Sequence, residues 1–177
     1  MTRPPLHDDP VTDLDRLAEI ADLDLFSSRA RSRLDEFARK AAARFDLPIG
    51  LVTVVLDGAQ CFAGRHGPAD WTTQTQGTPV EWSFCSTSVR TRQEYVVPDA
   101  RIDPAQQDNP LVILDSICCY AGVPLITSRG HVVGNICVLG TEPRQFAAEE
   151  LAELHRMATE VVAELEASRL SGHTDNP

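Results

Sequence analysis

The period of the apolar residues changes along the chain, and each change marks an element. In DLDRLAEIADL, residues 13–23, Leu14, Leu17 and Ile20 recur at helical spacing, which predicts a short first helix with Thr12 and Asp15 as a weak capping pair. From Ser28 to Phe45 the stripe Leu34, Phe37, Ala38, Ala41 and Phe45 predicts a second helix, with Arg29, Arg33, Arg39, Lys40 and Arg44 on its polar side. Pro48 forbids its continuation. IGLVTVVL, residues 49–56, is rich in β-branched residues and bounded by Pro48 and the turn Asp57-Gly58, so it reads as a central strand paired in a hairpin with QCFAGRH.

Residues 67–80 are polar and broken by Gly and Pro, which predicts a loop. EWSFCSTSVRT reads as a short helix and YVVPD as a short strand. DARIDPAQQDNPLV reads as a loop with helical turns, in which Asp103 and Asn109 each precede a proline and so match the N-cap pattern. CCYAGVPLIT and HVVGNICVLG, joined by Ser128-Arg129-Gly130, form a second hairpin. After Phe146, the spacing of Leu151, Leu154, Ala158, Val161 and Leu165 predicts a long amphipathic helix. Its cap position, Ala147, has no side-chain acceptor, although Glu149 and Glu150 suit the positive end of the helix dipole.

The order is helices, hairpin, connecting elements, hairpin, helix, without βαβ alternation. The expected fold is α+β: an antiparallel sheet with the N- and C-terminal helices packed on one face. A single domain over residues 12–168 is expected, with loose tails at 1–11 and 169–177.

Composition narrows the function classes. With 42% hydrophobic residues the chain is globular, and a net charge of -10 repels a phosphate backbone, which argues against nucleic acid and anionic membrane as partners. MTRPPLHDDP lacks the apolar core of a secretory signal, so a cytoplasmic location is expected. The five cysteines then read as reduced thiols. They form no CxxC and stand at no zinc-like spacing from histidine, so no metal is expected.

EWSFC, YVVPDARIDPAQQDNPLV, YAGVPL, the glycine pair of SRGHVVGNICVL and PRQF before a long helix together resemble the GAF domain family, the small-molecule sensory module of kinases, cyclases and phosphodiesterases. The resemblance spans about Asp13 to Leu165. It implies a sheet of five or six strands, helices on one face and a ligand pocket on the other, roofed by the segments between the hairpins. Related sequences usually carry an aromatic residue where Cys119 and Cys61 stand, which implies a roomier site here. No cysteine is followed by histidine, as bilin attachment in phytochrome-like members requires, so no bilin is expected.

The candidate ligand-binding residues are Trp82, Phe84, Cys85, Asp99, Asp103, Cys119 and Cys137. Cys118 and Cys119 cannot both face one pocket from a regular strand, where Cys119 and Ala121 oppose Cys118 and Tyr120; small buried hydrophobes are the bland alternative to a redox pair. Cys85 sits near a helix start, where the dipole can lower a thiol pKa, and Cys137 on the last strand can approach it. Asp99 and Asp103 read either as a polar rim or as turn chemistry, and Trp82 and Phe84 either as lining or as a hydrophobic staple. His131 reads as solvent-facing. No catalytic residue is assigned.

Three functions remain open. The first is a stand-alone regulatory module that binds an unidentified small molecule and signals to a separate protein, pairing with a second copy through its terminal helices. The second is a thiol oxidoreductase of the free-methionine-sulfoxide reductase type, using Cys85 with Cys137 or Cys118. The third is a dimerisation scaffold whose pocket is filled by side chains.

Overall fold

A computed structural model describes residues 9–68 and 76–172. Residues 1–8 and 173–177 of the tails expected at 1–11 and 169–177, and residues 69–75 of the expected loop, lie outside them. The strands are β1 (Ile49–Val55), β2 (Ala59–His66), β3 (Gly77–Pro79), β4 (Tyr95–Val97), β5 (Cys119–Ile126) and β6 (Val132–Gly140). They form one sheet in the order β3-β2-β1-β6-β5-β4. Every neighbouring pair is antiparallel. The two predicted hairpins, β1–β2 and β5–β6, join at the centre, where β1 pairs with β6 from Ile49↔Leu139 to Val54↔Gly134. The expected α+β antiparallel architecture is therefore the one observed.

Helices α1 (Leu14–Ala21), α2 (Ser28–Phe45) and α5 (Ala148–Gly172) are the terminal helices, while α3 (Cys85–Thr91) and α4 (Pro110–Ile113) lie in the connection between the hairpins. Strand alternation decides what each face meets. On the back, Val52, Val54, Val123, Ile136 and Val138 pack against Leu34, Ala41 and Phe45 of α2 and Leu154, Val161 and Leu165 of α5. Each such large side chain contributes about 1.5–3 kcal/mol relative to exposure. Helix α2 lies directly on strand backbone: a Cβ at Gly50 would come 2.0 Å from the Ala38 carbonyl oxygen, and one at Gly64 would come 2.4 Å from that of Leu34. Only glycine permits that approach. On the front, Leu51, Val55, Phe62, Tyr120, Cys137 and Leu139 are covered by residues of α3, α4 and their flanking turns.

Helix α5 is fastened at both ends. Before its first turn, the Arg144 guanidinium lies 4.7 Å from the Phe146 ring centre and donates to Glu150 Oε1 at 2.7 Å. Near its last turn, Arg169 donates to Glu19 of α1 at 2.9 Å, and Glu166 accepts from the Ser128 backbone N–H in the β5–β6 turn at 2.7 Å. Glu19 also accepts from Thr127 at 2.9 Å and bonds His131 Nδ1, so α1, the second hairpin and α5 share one buried carboxylate.

Local departures from expectation have local causes. The cap of α1 is Asp13, which accepts from the Arg16 N–H at 2.7 Å, and not the Thr12 and Asp15 pair. Order begins before residue 12, because Asp9 caps a 3-10 turn at Pro10–Thr12 that buries Val11. Within the expected loop, Gly77–Pro79 adds an edge strand to β2, too short to show a period. Helix α5 runs to Gly172, past the expected domain end at 168. Asn109 caps α4 as its sequence pattern suggests, accepting from Leu111 N–H at 3.0 Å. Among the described residues, no helix is long and apolar enough to cross a membrane.

Candidate functional site

The front of the sheet carries a buried polar cluster beneath α3. Ser83 anchors the start of that helix, accepting from the Ser86 N–H at 3.1 Å and donating to Gln60 of β2 at 2.5 Å. This sets Cys85 and Val89, one helical turn apart, in the front core. Tyr120 leans along its own strand over Gly122, where a Cβ would lie only 2.1 Å from the tyrosine oxygen. Its ring stacks on Phe84 at 5.0 Å and 27° and meets Tyr95 at 5.8 Å. Its hydroxyl lies 3.1 Å from Cys85 Sγ and accepts from Asn135 Nδ2 at 3.3 Å. Cys137 Sγ is 3.9 Å from Cys85 Sγ.

These side chains are closed off from water: Tyr120, Cys85 and Cys137 are 1–2% exposed, and Thr53 and Asn135 are 0% exposed. Thr53 and Asn135 meet across β1 and β6, where the Asn135 N–H donates to Thr53 Oγ1 at 3.3 Å. Among the described residues, Asn135 Oδ1 and Ser88 Oγ are buried without a hydrogen-bond partner. Burial disfavours any charge in this cluster. It drives the Cys137 thiol and the Tyr120 phenol well above their ordinary pKa values. Burial opposes ionisation of Cys85 too, but hydrogen bonds from Cys137, Thr53, Tyr120 and Ser83 outweigh it and hold this thiol below its ordinary value. Cys85 is thus the first of the three to ionise.

The structure brings together only some of the residues singled out in the sequence. Phe84, Cys85 and Cys137 meet in the cluster. Trp82 is half-buried at its margin, where its carbonyl accepts from Asn109 Nδ2 at 3.0 Å. Asp99 is turned to Arg101, which donates to both carboxylate oxygens at 2.9 and 2.8 Å and holds the carboxyl well below the usual range. Asp103 accepts from the Ala105 N–H at 2.9 Å, which is turn chemistry.

Cys119 lies on the other face: it shares the side of Ala121, and its sulfur would sit 2.9 Å from a Cβ on Gly140, beside Leu47. It lines no front cavity, because strand alternation sends it to the helices. Cys61, across from Val54, also faces back. The expected extra room at the front is therefore absent, and Tyr120 fills the centre instead. Cys118 faces forward but donates its S–H to Asp99 at 3.3 Å, and burial together with that carboxylate pushes its pKa up to about 11. His131 is half-buried and bonded to Glu19, not solvent-facing.

Sequence reasoning missed Tyr120, Thr53, Asn135, Ser83 and Gln60. The readable signal was YAG, since a glycine two residues after a tyrosine on one strand face leaves room for the ring to lie flat. Among the described residues, no three of His, Cys, Asp or Glu come together as ligands for a metal ion.

Comparison with known proteins places this architecture. Residues 30–166 match the GAF domain family. The whole chain is 31% identical to a cyclic di-GMP phosphodiesterase of Pseudomonas aeruginosa, of which it spans 29%. The fold resembles the GAF domain of a phosphoenolpyruvate-protein phosphotransferase from Coxiella burnetii, with a TM-score of 0.66, 17% identity and coverage of 94% of this chain and 99% of that one. It also resembles free methionine-R-sulfoxide reductase from Neisseria meningitidis in complex with its substrate, with a TM-score of 0.65, 18% identity and coverage of 79% and 80%. The six-stranded antiparallel sheet, the helices behind it and the match over most of its length make this chain a member of the GAF domain family.

Proposed function

We propose that this chain is a sensory module whose small-molecule ligand binds at the front of the sheet, in the space Tyr120 occupies. The observation that carries this is chemical: the front core holds Thr53, Asn135, Tyr120, Cys85 and Ser83 where the back core is aliphatic. Two of its buried polar atoms, Asn135 Oδ1 and Ser88 Oγ, are unpartnered among the described residues, and such groups are costly unless something hydrogen-bonds to them. A polar ligand carrying donors answers that cost. Tyr120 is held by contacts it can exchange, and α3 is a short roof of 7 residues. Ligand binding is transmitted only if it favours one arrangement of the helices over another. The carboxylate of Glu19, shared by α1, the second hairpin and α5, is the connection that couples them.

A two-fold pairing through the terminal helices fits the charges of their faces. Helix α2 has six basic and two acidic residues, and α5 has six acidic and two basic. A second copy, turned about an axis between them, sets unlike charges together.

Gly122→Ala tests the site, because the added methyl group displaces Tyr120. Native mass spectrometry of protein purified gently from its own host is expected to reveal a retained small molecule, with a changed retained fraction in Gly122→Ala, and a dimer mass. A ligand-free wild type whose Gly122→Ala variant also takes up nothing from host extract would sink this reading in favour of a filled scaffold.

The 3.9 Å between Cys85 and Cys137 favours one other reading, a reductase. There, the two thiols would reduce a sulfoxide to a sulfide, releasing water and leaving a Cys85–Cys137 disulfide. Rapid selective alkylation of Cys85 at neutral pH supports it, and five slow thiols support the sensor.

A further inference from the structure

Outside the front cluster, a hollow of about 390 Å³ opens where the N-terminal turn, the end of α3 and the start of β6 meet. Its charged and titratable walls are Asp9, Asp13, Arg16, Arg90, Arg92 and His131, and Val89 and Val132 supply apolar surface. Three guanidinium groups converge here in a chain whose net charge is -10.

Most of these groups are already engaged. Asp9 accepts from Arg90 at 3.0 and 2.9 Å and from the Val11 N–H at 3.1 Å. Asp13 caps α1, and His131 Nδ1 is held by Glu19. Two cations make no direct ion pair among the described residues. Arg16 is 3% exposed and donates only to carbonyls, of Val55 and Val11 at 2.7 Å and of Val132 and Pro10 at 3.2 Å. Among the described residues it makes no direct ion pair, and burial pulls its pKa below the ordinary arginine value against the through-space attraction of Asp13, Asp9 and Asp57. A buried cation whose counter-charges act only through space, without a direct ion pair, is costly. Arg92 ends α3 in a left-handed conformation, φ 60°, is exposed, and among the described residues has no ion pair either.

We propose that this hollow is a binding site for a small oxyanion, a phosphate or carboxylate group, which pairs with Arg92 and adds negative charge beside the buried Arg16. Guanidinium groups match both anions in geometry and charge. Val89 and Val132 would take the apolar part of a larger molecule bearing that group. Because Arg92 and Cys85 stand at opposite ends of α3, an anion here braces the roof of the front cluster while leaving the cluster itself untouched. The site does not depend on the front being a ligand pocket.

The test uses the full chain and inorganic phosphate, followed by phosphorus NMR line-broadening and calorimetry at constant ionic strength with chloride as the replaced ion; acetate in a parallel series separates carboxylate from phosphate. Saturable binding is expected. Arg92→Asn, which tolerates the left-handed backbone, is expected to weaken it about ten-fold, the worth of one charge-assisted pair, with the thermal midpoint without phosphate unchanged. Asp9→Asn, which releases Arg90, is expected to tighten it. No saturable binding of either anion, or equal binding by wild type and Arg92→Asn, overturns the site; the second result is that of an ion acting on the whole surface.

Discussion

The two faces of this one sheet are built from the same strands yet solve different problems. On the back, Val52, Val54, Val123, Ile136 and Val138 meet apolar side chains of α2 and α5, mostly leucine, alanine and valine with Phe45 among them. On the front, the same alternation presents Thr53, Tyr120, Asn135 and Cys137 to a short helix. A core that served only stability would match the back. Polar groups under cover require partners of defined geometry, so the front is selective where the back is merely cohesive. The difference teaches that a strand's two periodic sets can be given different chemistry, one almost wholly apolar and the other carrying polar groups under cover.

The comparison breaks most visibly if the back is truncated. Leu154→Ala, at 0% exposure, is expected to cost about 2–5 kcal/mol in denaturant unfolding, with no specific change in the reactivity of Cys85 beyond that of a less stable protein. Tyr120→Phe, at the front, keeps the ring stack but strands Asn135 Nδ2 and removes the hydroxyl beside Cys85. A loss of about 1–3 kcal/mol is expected by the same measurement, together with a rise in the apparent pKa of Cys85 in an alkylation-rate profile, because one stabilising donor is gone. If the two variants were indistinguishable in thiol titration, the front would not be the specialised face.

A smaller effect of opposite sign is expected from Ala147→Ser. Glu150 already accepts from the Ala147 N–H at 2.9 Å, so half of a capping box is in place. A serine oxygen would complete it and add about 1 kcal/mol of stability, read as a raised denaturation midpoint. The smallest effect concerns Cys118. With its pKa pushed up to about 11 by burial and by Asp99, the thiol stays protonated through neutral pH, and its alkylation should accelerate only towards that value. Asp99→Asn removes the repelling charge, and the acceleration is expected at lower pH.

The sheet and long helices were legible because their signals are periodic. Leu151 to Leu165 on α5 and the β-branched run of β1 each state their element several times over. The filled front was not legible, since it depends on Tyr120 folding down over Gly122 and not on the alternation itself. Cys119 was misplaced as a ligand residue because likeness to a family locates a position along the chain, while the face is decided by register. That Phe84, Cys85 and Cys137 would be buried together was legible, because apolar or thiol residues beside a helix start and on a last strand tend to turn inward. Arg16 gave no warning: on a short helix beside Asp15 it looks like an ordinary exposed charge, and only the carbonyl ends of β1 and β6 explain its burial.

The fastening of α5 has a mechanical consequence. Its middle rests on apolar side chains, but directional, charge-assisted bonds tie it to its neighbours, Arg33 of α2 to Glu164 and Arg169 to Glu19 of α1. Sliding this rod along its axis would break the Arg33–Glu164 and Arg169–Glu19 bonds together, so α5 is locked to α1 and α2 at once.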